Sequence, residues 1–330
     1  MIFGLGGLEL NEEERAFFRA TAPLGFILFQ RNCATPEQVR RLVAALRDCV
    51  GRDDAPVLID QEGGGVARLK PPHWPAYPPA AAIGALDASL AAEAARLGAR
   101  LIADDLASLG ITVDCMPVLD LPAPGADPVI GDRAYGSDAA IVTTLGREVC
   151  EGLLAGGVLP VLKHIPGHGR AAVDSHVALP VVTAPLAALE ASDFVPFRAL
   201  ARMPWAMTAH ILYAAIDAGH PATLSPRVIG EVIRAGIGFD GVLLSDDVSM
   251  QALPGALGAR AGAALAAGCD VVLHCNGAMS EMIEVAAAAE PLTAAAKRRL
   301  AAGAARLRAP EPFDRAAAQR RFAALLAGAR

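Results

Sequence analysis

"VLPVLKHIPGHGRAAVDSH" (158–176) begins as an unbroken apolar run and ends as a crowd of ionisable groups. Residues 158–164 read as a strand buried on both faces, because nothing polar interrupts the run before Lys163 and His164. From there to about Pro180, the prolines and glycines Pro166, Gly167 and Gly169 argue against a helix. The segment is a loop of roughly 16 residues, and loops this long inside a compact domain are usually functional.

Seven other stretches have the same apolar character: "IFGLG" (2–6), "GFILF" (25–29), "PVLID" (56–60), "ITVDCMPVLD" (111–120), "WAMTAH" (205–210), "GVLLSD" (241–246) and "DVVLHC" (270–275). Between these strands lie Ala/Leu/Arg-rich stretches with helical spacing, among them 36–50, 87–109, 139–155, 185–201, 226–235, 255–267 and 279–289. Thr35-Pro36 and Ser225-Pro226 have the form of an N-cap followed by Pro at the first helical position. Continuous apolar strands alternating with helices imply a parallel sheet covered by helices. Eight such units in a chain of 330 residues predict a (β/α)8 TIM barrel, a single domain over 1–330, with the Ala-rich 293–330 as terminal helices packed outside. An open doubly wound sheet is the alternative. It lacks its nucleotide fingerprint here: "GLGG" (4–7) has the wrong spacing, and "GGG" (63–65) has no following Lys-Ser/Thr.

Several predicted strands end in a polar residue: Asp60, Asp120, Lys163 with His164, His210, Asp246, and His274 with Asn276 just beyond. In a barrel these ends meet on one face, where such enzymes place their chemistry. The opposing reading is that strands simply stop where polarity begins.

Composition narrows the function. The net charge is −6, and no basic stripe with interleaved aromatics appears, so nucleic acid is not the expected partner. No apolar stretch approaches the ~20 residues of a membrane span. "MIFGLGGLELNEEE" lacks a basic leading region and is not expected to be a signal peptide. Cys33, Cys49, Cys115, Cys150, Cys269 and Cys275 form no CxxC and no dense framework; they read as reduced thiols of a cytoplasmic protein. The lysines are Lys70, Lys163 and Lys297 in an Arg-rich chain, and one of them stands in the opening segment.

His164, His168, Asp174 and His176 are all legitimate zinc ligands, but His-x3-His needs a helix to put both rings on one side. Asp174 and His176 also suit proton transfer. Two residues apart, they can share one side of an extended or turned segment, the carboxylate bonding one ring nitrogen and aiming the other. In "FDGVLLSDDVSM" (239–250) two aspartates close a strand; alternation lets only one face the mouth, and the other is expected to cap the next helix. A carboxylate held there by hydrogen bonds could form a covalent ester with a sugar. "LIDQEGGGVARL" (58–69) offers Asp60 and Arg68 around a Gly-rich turn, a carboxylate–guanidinium pair suited to vicinal hydroxyls. "VIGDRAYG" (129–136) places Arg133 in a further long loop.

These four stretches, in this order, resemble glycoside hydrolase family 3, and within it the single-domain bacterial β-N-acetylglucosaminidases of cell-wall recycling. The resemblance runs from about residue 2 to 290 and is most specific in "KHIPGHGRAAVDSH" and "LLSDDVSM"; "DQEGGGVARL", "IGDRAYG", "MTAH" and "AGCDVVLHC" agree in position and order. It implies a retaining hydrolase with Asp246 as nucleophile, His176 as acid/base on a mobile loop and Asp174 as its dyad partner. It places Asp60, Arg68, Arg133, Lys163 and His164 around a terminal N-acetylglucosamine. The implied substrate is a muropeptide fragment, N-acetylglucosaminyl-β-1,4-anhydro-N-acetylmuramic acid with or without its peptide. Neither metal nor organic cofactor is implied. The alternatives are a phosphorylase of the same family, in which a neutral His repels phosphate less than a carboxylate, and a non-catalytic sugar-binding barrel. Three departures stand out: Gly65 where the family has Arg, Ile165 for Phe, and Arg170 for Asp. The first is expected to alter packing beside the sugar pocket.

Overall fold

A computed structural model describes residues 1–328. Eight parallel strands close into a barrel in chain order: β1 (Ile2–Phe3), β2 (Gly25–Leu28), β3 (Val57–Ile59), β4 (Val113–Asp114), β5 (Leu159–Ile165), β7 (Trp205–Thr208), β9 (Val242–Asp247) and β10 (Val271–His274). The last, β10, pairs back onto β1, which rules out the open sheet. Each falls in one of the eight apolar stretches predicted, β5 and β9 running one residue beyond theirs. A separate pair, β6 (Val181–Val182) and β8 (Leu212–Tyr213), was not foreseen; two residues per strand leave no periodic signal.

Both faces of the strands are buried, which is why they are apolar throughout. Ile2, Ile27, Leu58, Val113, Val161, Met207, Val242, Leu244, Val271 and Leu273 fill the barrel interior. Their strand neighbours Phe3, Phe26, Leu28, Val57, Ile59, Leu162, Ala206, Leu243 and Val272 point outward under the helices. This period of two fixes the register, since a slip of one residue would exchange the two sets.

The helices cap as their sequences imply. Thr35 accepts the Gln38 N–H at 3.2 Å to start helix Pro36–Val50, and Ser225 accepts the Val228 N–H at 3.0 Å. An additional helix, Glu12–Thr21, opens with a capping box in which Asn11 and Glu14 bond each other's backbone. The 185–201 stretch is two short helices, Leu186–Ala191 and Val195–Ala199, because Ser192 turns back to the Ala188 carbonyl and Pro196 brings no N–H. The segment Val228–Gly236 is π-helical rather than α-helical. The predicted strand 111–120 is shorter than expected: after Asp114 it returns to the barrel through a single bridge, Val118 to Lys163.

Two helices follow residue 293. Ala294–Ala304 sits against the end of the barrel, Gly303 lying under the Trp205 indole. Arg315–Ala327 lies on Ala88–Ser108, with Phe322 over Gly98 and Arg315 paired to Asp104 and Asp105 at 2.7 Å each. Of the predicted tail, residues 329 and 330 lie outside those described. All six cysteines are free thiols.

Candidate active site

The carboxyl ends of the strands surround a cavity of about 290 Å³. Along one side of it runs an unbroken chain of alternating charges. Arg68 donates to Asp60 at 2.9 Å, and Asp60 takes the Lys163 ammonium at 2.9 Å. Lys163 also meets Glu62 at 2.6 Å, and Glu62 receives a two-point contact from Arg133 at 2.9 and 2.8 Å. The Lys163 side chain is only 2% exposed, so its charge survives by pairing. Burial pulls its ammonium down, but Asp60 and Glu62 outweigh this and hold it well above the usual range. Reciprocally, burial raises Asp60 and Glu62, yet Lys163 and the two arginines bring both below the usual carboxylate range.

The turn bringing Asp60 and Arg68 together needs its glycines. Gly63 and Gly64 hold φ of 101° and 57°, and a Cβ on them would lie 2.3 Å from the Pro78 carbonyl and 2.7 Å from Pro79. Gln61 locks the turn from inside, accepting the Arg68 and Leu69 N–H groups at 2.9 and 3.0 Å. Its own N–H donates to buried Asp114 at 2.9 Å. Gly65 is exposed and is not part of the cavity lining, to which its neighbour Val66 contributes.

Lys163 and His164 are neighbours on one strand, yet both line the cavity. The β5–β7 ladder shifts register between Leu162 and Ile165, which breaks the alternation there. Asp120, wholly buried, anchors the bend: it accepts the His164 N–H at 3.1 Å, meets His164 Nδ1 at 2.7 Å and accepts the His168 N–H at 2.6 Å.

Asp246 stands on the opposite wall, partly accessible, one residue after buried Ser245. Burial raises its carboxyl, but His210 and His164 and the Asp247 N–H, donated at 2.8 Å, hold it below the usual carboxylate range. Asp247 also reaches the cavity, contrary to the alternation argument, because the β9–β10 ladder shifts register beside it. Nor does it cap a helix. Its carboxylate accepts the Ser249 N–H and hydroxyl at 3.0 and 2.7 Å, closing a turn, while the next helix begins only at Leu257.

The segment 166–180 is irregular throughout. Within it Asp174 Oδ1 meets both the backbone N–H and the ring Nδ1 of His176, each at 2.8 Å, and the His176 ring lines the same cavity as Asp246. All eight predicted site residues are therefore brought together, seven on the wall and Asp174 behind His176. Other strand-end residues turn elsewhere. His210 bonds Thr223 and the Asp247 carbonyl, and His274 pairs with Glu281 at 2.9 Å. Glu62 was overlooked because an acid beside three glycines reads as solvated loop; its spacing of two from Asp60 was the available signal. Of the departures, Ile165 is fully buried, and Arg170 pairs with buried Asp193 at 2.8 Å. Among the described residues no group of three or more His, Cys, Asp or Glu could hold a metal ion.

A parallel eight-stranded barrel with a charge-paired pocket, an ionised carboxylate and a carboxylate-backed imidazole defines a barrel enzyme of the glycoside-processing class. Comparison with known proteins gives the family. The glycosyl hydrolase family 3 N-terminal domain model matches residues 5–308, and the chain belongs to that family. It is 42% identical over 282 residues to a β-hexosaminidase of Alkalilimnicola ehrlichii, covering 84% of this chain and 80% of that protein. A β-hexosaminidase of Methylococcus capsulatus is 39% identical over 83% of this chain and 82% of its own length. Among solved structures, native NagZ from Neisseria gonorrhoeae superposes with a TM-score of 0.85 at 32% identity, over 99% of this chain and 95% of that one. The same protein in complex with N-trifluoroacetyl-D-glucosamine gives a TM-score of 0.85 at 31% identity, covering 100% of this chain and 96% of that one.

Proposed function

We propose that this chain is a retaining exo-β-N-acetylglucosaminidase that removes terminal N-acetylglucosamine from a β-1,4-linked anhydro-N-acetylmuramic acid, with or without its peptide, in the cytoplasm. The observation that carries the chemistry is that Asp246 and the Asp174-backed His176 open into one cavity. The β-hexosaminidase relatives and the N-trifluoroacetylglucosamine complex of the Neisseria protein support the sugar. The aglycone rests on the family resemblance of the sequence motifs. No helix among the described residues is long and apolar enough to cross a membrane.

In this reading Asp60, Arg68, Arg133, Lys163 and His164 hold the sugar by its hydroxyls and acetamido group. Asp246 attacks the anomeric carbon, and protonated His176 donates from Nε2 to the departing oxygen. The C–O bond breaks and a glycosyl ester forms. His176, now neutral, takes a proton from water as that water displaces Asp246, returning the β-anomer. Asp174 bonds Nδ1 and so fixes the orientation of the ring in both halves. The Asp246 carboxylate paired with an imidazole replaces the two-carboxylate arrangement common to glycosidases.

The test compares a chromogenic N-acetylglucosaminide with the matching glucoside and follows the first-formed anomer by NMR. Strong preference for the former with β-product is expected; α-product or equal turnover refutes the reading. Running the assay in phosphate separates a phosphorylase, which would release the sugar 1-phosphate.

A further inference from the structure

The loop carrying His176 has two unlike halves. Its first half is tied down: Ala123 and Asp127 donate their N–H groups to the Gly169 and Ala171 carbonyls at 2.8 and 2.7 Å. Its second half, 172–179, is mostly exposed. Val177 is 73% exposed, and the Asp174–His176 dyad bonds only within the segment itself, to each other and from the Asp174 carbonyl to the Val177 and Ala178 N–H groups. A single residue there is buried, Ser175, 3% exposed, standing between the two dyad residues. Among the described residues, the hydrogen-bonded links from 172–179 to the rest of the molecule are both made by Ser175. Its hydroxyl meets His168 Nε2 at 3.1 Å, and its carbonyl accepts the Ala252 N–H at 3.2 Å.

Both links lead to catalytic ground. His168 hangs by its backbone from Asp120, which also holds His164. Ala252 lies in the turn that follows Asp246 and Asp247, beside Met250 of the cavity wall. His168 is 3% exposed, and its other ring nitrogen, Nδ1, has no partner. Burial and the neighbouring His164 lower its pKa to about 4, so near neutrality the ring is uncharged. A neutral imidazole with one nitrogen spent on a serine can hold a loop without adding charge near Asp246.

We propose that Ser175, latched to His168, is the positioning residue that sets His176 against the glycosidic oxygen. The inference rests on His176 acting as the acid/base. Ser175 touches no substrate; it holds at one point a segment with few other attachments, and its neighbour in sequence carries the proton.

The test uses Ser175→Ala, which removes one oxygen, with His168→Ala deleting the same bond from the other side. Aryl N-acetylglucosaminides of graded leaving-group acidity are the probes. Because proton donation contributes about 10²- to 10⁴-fold, and only where the leaving group needs it, poor leaving groups should lose roughly 10- to 100-fold in kcat/KM and dinitrophenolate less than about 3-fold. Azide should restore turnover of the dinitrophenyl substrate. It attacks the anomeric carbon, expels the Asp246 carboxylate as glycosyl azide forms, and needs no proton removed. A merely structural defect would move neither readout. His176→Ala is run beside them. If it shows the leaving-group dependence and Ser175→Ala does not, the latch is wrong and the acid/base stands. If His176→Ala loses activity equally on all substrates, both fall.

Discussion

Asp174 Oδ1 lies 2.8 Å from the backbone N–H of His176 and 2.8 Å from its ring Nδ1, so one carboxylate oxygen fixes both where the residue sits and how its ring is turned. The other nitrogen, Nε2, is left for the cavity. Asp174→Asn keeps the shape but removes the charged partner of the His176 ring. It should lower kcat by about 10²- to 10⁴-fold on poor leaving groups. Steady-state kinetics on paired aryl substrates check this; undiminished turnover would remove Asp174 from the account.

Asp246→Ala deletes the proposed nucleophile while leaving the ionic wall in place. Turnover should fall by about 10⁴-fold or more, with product binding kept within several-fold. The assay is kcat on an activated aryl N-acetylglucosaminide beside calorimetric titration of N-acetylglucosamine. Activity within tenfold of the parent would contradict the assignment.

Glu62→Gln breaks the ionic chain at its most contacted link, leaving Lys163 and Arg133 buried with one counter-charge fewer. Removing one partner of a buried pair costs about 3–5 kcal/mol. Denaturant unfolding should show a loss of that order, and KM should rise more than kcat falls if the wall holds the sugar as proposed. An unchanged midpoint would show that the chain contributes little.

Asp114 gives a pH signature. Burial pushes its carboxyl up to about 8, against which the Gln61 N–H and Lys163 pull only partly, and its Oδ2 has no hydrogen-bond partner. An unfolded aspartate titrates near ~3.9. The native state therefore keeps a proton that the unfolded chain loses. This contribution to stability is complete below about pH 4 and is lost as pH rises through about 8. Asp114→Asn has no such proton. Its stability relative to the parent should improve with rising pH across that window, by at most about 1.4 kcal/mol per unit. Thermal melts at pH 5, 7 and 9 measure the slope; parallel curves would contradict it.

Chelation should change nothing. The His164 ring is committed to Asp120 through Nδ1, the His168 ring to Ser175 through Nε2, and the His176 ring to Asp174 through Nδ1. Dialysis against EDTA followed by assay should leave kcat intact; a loss restored by zinc would make the loop a metal site.

Much of this was readable in the chain because two-sided burial leaves strands apolar and their exits polar. Ile27, Leu58, Val161 and Leu244 mark their strands plainly, and Asp60, Lys163 and Asp246 follow them. What escaped depended on departures from ideal strand geometry. Alternation forbids Asp246 and Asp247 from sharing a face, and a register shift permits it. Periodicity cannot distinguish His164, which faces the cavity, from His274, which turns away to Glu281. Asp120 reads as one more strand end, yet its three contacts to His164 and His168 shape the whole bend. Such partners are chosen by tertiary packing, which no local pattern encodes.

The central claim is that Asp246 forms a bond to the sugar. It is tested most directly by trapping the enzyme with a 5-fluoro-N-acetylglucosaminyl fluoride, digesting it and mapping the adduct by mass spectrometry. The account predicts a single glycosyl ester on Asp246. A label on Asp247 or Glu62, or none while the reagent is still turned over, would contradict it.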